Sequence, residues 1–152
     1  RNFIIRSGVR TFEAAAYLKK RGANTVECKK LFSSASDVFK HRNAIIDKAE
    51  TYNSCAISTA DGDIPNIRLV TSQAADEMIN IDGVKASFVL YDNGDSTNIS
   101  ARSYGEINVQ LIMESLGGGG HQTMAACQLS QKTAEEAVDL LKNAIDEYFS
   151  NI

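Results

Sequence analysis

The stretch Ala86-Ser87-Phe88-Val89-Leu90-Tyr91-Asp92-Asn93-Gly94-Asp95-Ser96-Thr97-Asn98-Ile99-Ser100-Ala101-Arg102-Ser103 decides the fold class. Ala86 to Tyr91 is rich in apolar residues on both faces, as a strand in the middle of a sheet would be. Asp92-Asn93-Gly94-Asp95 reads as a hairpin turn, because Asn-Gly tolerates the positive φ angles that a type I′ turn demands. The return strand is expected over about Thr97 to Ser103. A hairpin set among helical periods predicts an α/β fold with a mixed β-sheet flanked by helices.

Upstream of the hairpin, Ile67, Val70, Ala74 and Met78 recur at helical spacing and predict a helix over Asn66 to Ile81. Pro65, the lone proline, follows Asp61-Gly62-Asp63 in a turn, and Cys55 to Thr59 reads as a strand. Ser34-Ala35-Ser36-Asp37 fits a capping box for a helix whose apolar stripe, Val38, Ile45, Ile46 and Ala49, runs to about residue 50. Earlier still, Thr11 to Arg21 reads as a helix stopped by Gly22, and Thr25 to Phe32 as a short one. The opening, Arg1-Asn2-Phe3-Ile4-Ile5-Arg6, resembles a strand already under way and predicts that the chain begins mid-protein. The domain boundary is expected among Gly22 to Ser34, dividing residues 1–32 from 33–152.

Downstream, Val109, Ile112, Met113 and Leu116 predict a helix ending at Gly117. Gln128-Leu129 reads as a short strand. Thr133-Ala134-Glu135-Glu136 is a second capping box, and Ala137, Val138, Leu141, Ile145 and Phe149 give the closing helix its core face.

At 152 residues, with 43% hydrophobic and 23% charged, the chain has the length and composition of one globular domain, or a small domain carrying a piece of another. Sixteen basic against nineteen acidic residues leave a net charge of −3, which argues against a whole-domain grip on long nucleic acid but permits a local basic pocket. Three cysteines without CxxC spacing and two histidines fit neither a disulfide framework nor a Cys/His zinc site, and suit a reducing cytosol. No run approaches 18 apolar residues, so the sequence predicts a soluble, cytoplasmic piece.

Gly117-Gly118-Gly119-Gly120-His121 carries the clearest chemical signal. One glycine would cap the preceding helix, but four lose more entropy than capping requires. Such a run lets backbone N–H groups converge on an oxygen-rich ligand, although the helix C-terminus before it would repel phosphate. The structural alternative is a flexible connection. His121 follows directly and could donate to a phosphoryl oxygen; a solvent-exposed loop histidine is the plainer reading. On the return strand, alternation puts Ser100 and Arg102 on one face, where a hydroxyl and a guanidinium could meet one phosphate. An edge-strand arginine paired with a surface carboxylate explains Arg102 equally well. His41 fits a solvated helix face, and Cys127 fits a packed thiol. The scattered aspartates suggest no two-metal cage, and no nucleophile–base–orienter trio is visible.

At Ser100-Ala101-Arg102-Ser103, and at Gly117 to His121 followed by Ala125-Ala126, the sequence resembles the C-terminal DHH-associated domain of the DHH phosphoesterase family. Arg6-Ser7-Gly8-Val9-Arg10-Thr11-Phe12-Glu13-Ala14-Ala15 resembles the end of the preceding DHH domain. Asn108-Val109-Gln110 with Ile112-Met113-Glu114 is most similar to the membrane-anchored cyclic di-AMP phosphodiesterases of the GdpP type. The resemblance implies a two-domain parent whose DHH domain holds a pair of manganese ions and activates water, while the associated domain binds substrate. It also implies that Gly117, Gly118, Gly119, Gly120 and His121 form a substrate-binding loop, with Arg102 and Ser103 contacting phosphate or nucleotide. Position 127 departs from many relatives, with Cys in place of Gly. The metal-binding motifs are missing from these residues, so the chain by itself is expected to hold no metal and to be inactive. Its expected partners are a cyclic or short linear dinucleotide and the DHH domain, with no long nucleic acid and a homodimer left open. Two rival readings are a DHH-type oligoribonuclease or exonuclease domain, and a non-enzymatic RNA-binding or dimerisation module like the C-terminal domain of alanyl-tRNA synthetases.

Overall fold

The computed structural model describes residues 7–31, 36–61 and 63–151. Its elements are α1 (Val9–Lys20), α2 (Thr25–Lys30), α3 (Ser36–Asp47), β1 (Glu50–Tyr52), β2 (Cys55–Ala60), α4 (Ile67–Met78), β3 (Ala86–Asp92), β4 (Ser96–Ser103), α5 (Val109–Ser115), β5 (Gly119–His121), β6 (Met124–Ser130) and α6 (Ala134–Ser150). Two compact units divide the chain, Arg1–Ala35 and Ser36–Ile152. The expected strand at Arg1 to Arg6 and the cap at Ser34 lie outside the described residues. In the first unit, the Asn24 side chain accepts from the amides of Val26 and Glu27 and so starts α2.

The second unit is a mixed α/β layer structure. Its six strands lie in the order β1-β2-β3-β4-β6-β5. Strands β2 and β3 are parallel and joined by the crossover helix α4, while every other neighbouring pair is antiparallel. One face of the sheet buries Phe88, Leu90, Ile99, Ala101, Ala125 and Cys127 under α5 and α6, chiefly through Val109, Ile112, Met113, Leu141 and Ile145. The other face buries Ala56, Val89 and Tyr91 under α3 and α4. β3 is therefore apolar on both sides, as its sequence requires. Small residues at Ala74 and Ala75 let α4 sit close to the sheet. There the buried Ser87 hydroxyl donates to the Ala75 carbonyl oxygen at 2.7 Å.

Three local expectations need correction. The type I′ hairpin occurs at Asn53 and Ser54, both left-handed (φ 46° and 60°), where two residues join β1 to β2. The Asn93 turn is instead a three-residue loop in which only Gly94 has positive φ (92°). There the Asn93 side chain is engaged locally, accepting from the Ser96 amide and hydroxyl at 3.0 Å each. α3 stops at Asp47 because the chain must turn into β1. The strand expected at Gln128-Leu129 is also longer, running through all of β6.

The capping box at Thr133 is formed: its hydroxyl accepts from the Glu136 amide at 3.2 Å, and Glu136 accepts from the Thr133 amide at 3.0 Å. That backbone hydrogen bond, then the charge of Lys132, holds the Glu136 carboxyl below its ordinary range. Thr133→Ala should lower the unfolding free energy by about 1 kcal/mol in urea denaturation. Because the folded value of Glu136 is depressed, its stabilising share is present above the usual carboxylate range and is lost as pH falls through that folded value. The stability gap between wild type and Glu136→Gln should therefore shrink as pH drops below roughly 4. A pH-independent gap would contradict that assignment.

Candidate functional site

Strand register assembles most of the expected residues on one surface. Ser100 lies opposite Ala126, and Ala126 opposite Gly119. Arg102 lies opposite Met124, and Met124 opposite His121. Side chains alternate along each strand, so Ser100, Arg102, Gly119 and His121 share the face that carries α3 and α4. Adjacent rows are two residues, about 6.7 Å, apart along the strands. Ala126, Gln128 and His121 are exposed and Met124 is half-buried, so this face lies open beside α4. Ser103 falls on the opposite face. Its buried hydroxyl donates to the Gln122 carbonyl oxygen at 3.1 Å, which separates it from Arg102, with which the family resemblance grouped it.

The glycine run is an ordered helix end and strand, and its four residues have different reasons to be glycine. Gly117 closes α5 with φ 81°. Its amide donates to Glu114 at 3.0 Å and that of Gly118 to Met113 at 2.8 Å, the paired bonds of a Schellman end. Those bonds occupy carbonyls that would otherwise present negative charge to an anion. A Cβ on Gly118 would overlap the Ala126 carbonyl oxygen and come within 2.7 Å of Cys127 Cβ. On Gly120 it would lie 2.5 Å from Ala125 Cα. Only at Gly119, among these three, does added Cβ meet open space, with nothing within 4 Å. As the sheet's edge, β5 directs part of its backbone hydrogen-bonding capacity away from β6, which is a feature of anion-binding sheet edges.

Arg102 does not extend freely into solvent. Its Nε donates to Asp76 Oδ1 on α4 at 2.7 Å, and its Nη1 to the Ala101 carbonyl oxygen at 2.9 Å. The arginine side chain is 12% exposed and Asp76 51%. β4 is an interior strand, so this is no edge-strand arginine, although the carboxylate partner is present. One turn before Asp76 on α4, Gln73 has a buried Oε1 without a hydrogen-bond partner among the described residues, as does Nδ2 of Asn98 on the same sheet face as Ser100. One turn after it, Asn80 accepts from the Tyr104 hydroxyl at 2.6 Å. Gln73 and Tyr104 have no signal in the sequence, the first in a helix read for its apolar stripe and the second past the end of the strand. Asp76 reads there only as one of the scattered aspartates, and its pairing with Arg102 comes from the fold.

The remaining candidates are structural. Cys127 Sγ donates to the Leu116 carbonyl oxygen at 3.1 Å, and burial raises its pKa, which disfavours a nucleophilic thiolate. Burial pushes Cys55 up to about 12. His41 is half-buried in α3. Among the described residues, no group of three or more His, Cys, Asp or Glu could hold a metal ion, and no helix is long and apolar enough to cross a membrane.

The DHHA1 domain family matches residues 56–151. The chain is 44% identical over 151 residues to the cyclic-di-AMP phosphodiesterase GdpP of Geobacillus thermodenitrificans. It is 43% identical over the same length to the cyclic-di-AMP phosphodiesterase PdeA of Listeria monocytogenes. Each match covers 98% of this chain and 23% of the relative, so the chain spans about a quarter of those proteins. In fold it is similar to an exopolyphosphatase-related protein from Bacteroides fragilis, with a TM-score of 0.80 at 18% identity, covering 93% of this chain and 44% of that one.

Gly118, Gly119 and Gly120 should separate in a urea denaturation series. Gly118→Ala and Gly120→Ala, which force overlap with backbone, should each lose about 1–3 kcal/mol of stability. Gly119→Ala should stay within about 0.5 kcal/mol of wild type. Equal losses at all three positions would contradict the β5–β6 register.

Proposed function

The chain belongs to the DHHA1 domain family, and from that premise we propose that it is the substrate-binding domain of a manganese-dependent cyclic di-AMP phosphodiesterase. In this reading Arg102, the edge of β5 around Gly119, and His121 grip the nucleotide phosphate, and Ser100 floors the site. The observation that carries the reading is the register placing these residues on one open sheet face. The high identity to two cyclic-di-AMP phosphodiesterases across nearly the whole chain supports the substrate class.

The residues suit binding and orientation. Arg102 is held in place beforehand by Asp76, so less side-chain freedom is lost when a phosphate arrives. Its remaining N–H groups can form charge-assisted bonds to phosphoryl oxygen. Gly119, lacking Cβ, permits close approach to the strand backbone. The unsatisfied amide atoms of Gln73 and Asn98 can be turned outward about their soft terminal torsions toward a polar ligand, recovering hydrogen bonds absent in the free chain. The described residues do not fit a manganese site. Water activation is thus assigned to metal ions held elsewhere in the whole protein, along with the membrane anchor that the subfamily implies.

The test is a backbone-amide NMR titration with linear diadenylate. Shifts should centre on Gly119, Gly120, His121 and Arg102. Arg102→Ala and Gly119→Ala should each weaken binding about tenfold or more while the rest of the spectrum stays native. The isolated chain with added Mn²⁺ should show no hydrolysis above buffer. Shifts confined to α5 and α6, or none at millimolar ligand, would overturn the reading.

A further inference from the structure

We propose that Tyr104 is the platform on which a nucleobase of the bound dinucleotide stacks, a proposal that rests on the phosphate site assigned to Arg102 above. Tyr104 follows the end of β4, two residues beyond Arg102, a span of about 6.7 Å along an extended chain. That separation suits a base attached through its ribose to a phosphate held at Arg102. The Tyr104 hydroxyl reaches Asn80 at the end of α4, which places the side chain on the same sheet face as Arg102 and His121.

Its orientation is imposed from α4. Asn80 Nδ2 donates to the carbonyl oxygens of Asp76 and Glu77 at 3.1 and 3.2 Å. Those two bonds fix which way the amide points and leave Oδ1 as the acceptor for the Tyr104 hydroxyl, at 2.6 Å. The helix that positions Arg102 through Asp76 therefore positions Tyr104 through Asn80. The tyrosine nevertheless remains 48% exposed. A large aromatic held at its polar tip, with much of its ring in water, has little to do for the core. It offers an oriented π surface with a low entropic cost for stacking. Stacking tolerates any base, so this contact would supply affinity and leave discrimination between bases to polar groups.

The experiment uses the 152-residue chain with two ligands, linear diadenylate and ribose 5-phosphate, the second lacking a base. Tyr104→Phe should bind diadenylate within about twofold of wild type, whereas Tyr104→Leu should bind it about five- to tenfold more weakly. Neither change should affect ribose 5-phosphate, while Arg102→Ala should weaken both ligands. The chain has no tryptophan, so Tyr104→Trp creates a single reporter whose fluorescence diadenylate should quench and ribose 5-phosphate should not. Full retention of diadenylate affinity by Tyr104→Leu, equal weakening of both ligands by it, or an unquenched Trp overturns the stacking role. Indifference of both ligands to Arg102→Ala overturns the underlying phosphate site instead, and absence of saturable diadenylate binding overturns both.

Discussion

The backbone of the glycine run lies against β6 so closely that positions 118 and 120 have no room for a Cβ, and the rest of the site follows from this contact. It lets the chain leave α5, turn through Gly117 and join the sheet as its last strand within a few residues. It sets the register that puts Gly119 and His121 in line with Ser100 and Arg102. It also explains why the run is long: the helix end and the sheet contact use three glycines, and the fourth faces open space. Gly119 is then the position where neither the helix end nor the contact with β6 excludes a side chain, and the proposed site uses its bare backbone.

On the other side of the site, α4 supplies order. Its inner face is fixed by Val70, Ala74 and Met78 in the core and by the buried hydrogen bond from Ser87. Its flank reaches β4 through Asp76 to Arg102, and Asn80, just past its end, reaches Tyr104, just past the end of β4. The exposed carboxylate of Asp76 contributes little to stability, since such pairs are worth about 0–1 kcal/mol. Its consequence is geometric. A guanidinium bonded at Nε and Nη1 has few remaining orientations, so in the proposed function an incoming anion would meet donors already placed. The same weakness of the pair means that adjusting it on binding costs little.

Much of this architecture was legible from local pattern. The β3–β4 hairpin, the stripe of α4 and the capping box at Thr133 each follow from short-range periodicity or turn chemistry. Alternation along β4 correctly joined Ser100 to Arg102. Adding Ser103 to that pair came from the family resemblance, and period-two geometry sends it to the opposite face. Strand β5 was hidden because a Gly-Gly-His segment has no intrinsic strand preference; it pairs only because β6 and α5 accommodate it. Most of β6 was hidden likewise, since Met124-Ala125-Ala126-Cys127 shows weak polar alternation. The partners of Arg102 and Tyr104 lie more than twenty positions away on a helix, a distance across which one sequence has no local signal.

Whether the open face beside α4 receives a nucleotide phosphate can be seen in a crystal structure of the chain with linear diadenylate. A phosphoryl oxygen is expected within hydrogen-bond distance of the Arg102 guanidinium and of a β5 backbone amide, with Cα of Gly119 against the ligand. A dinucleotide bound on the face carrying α5 and α6, or bound without contact to Arg102, would contradict it.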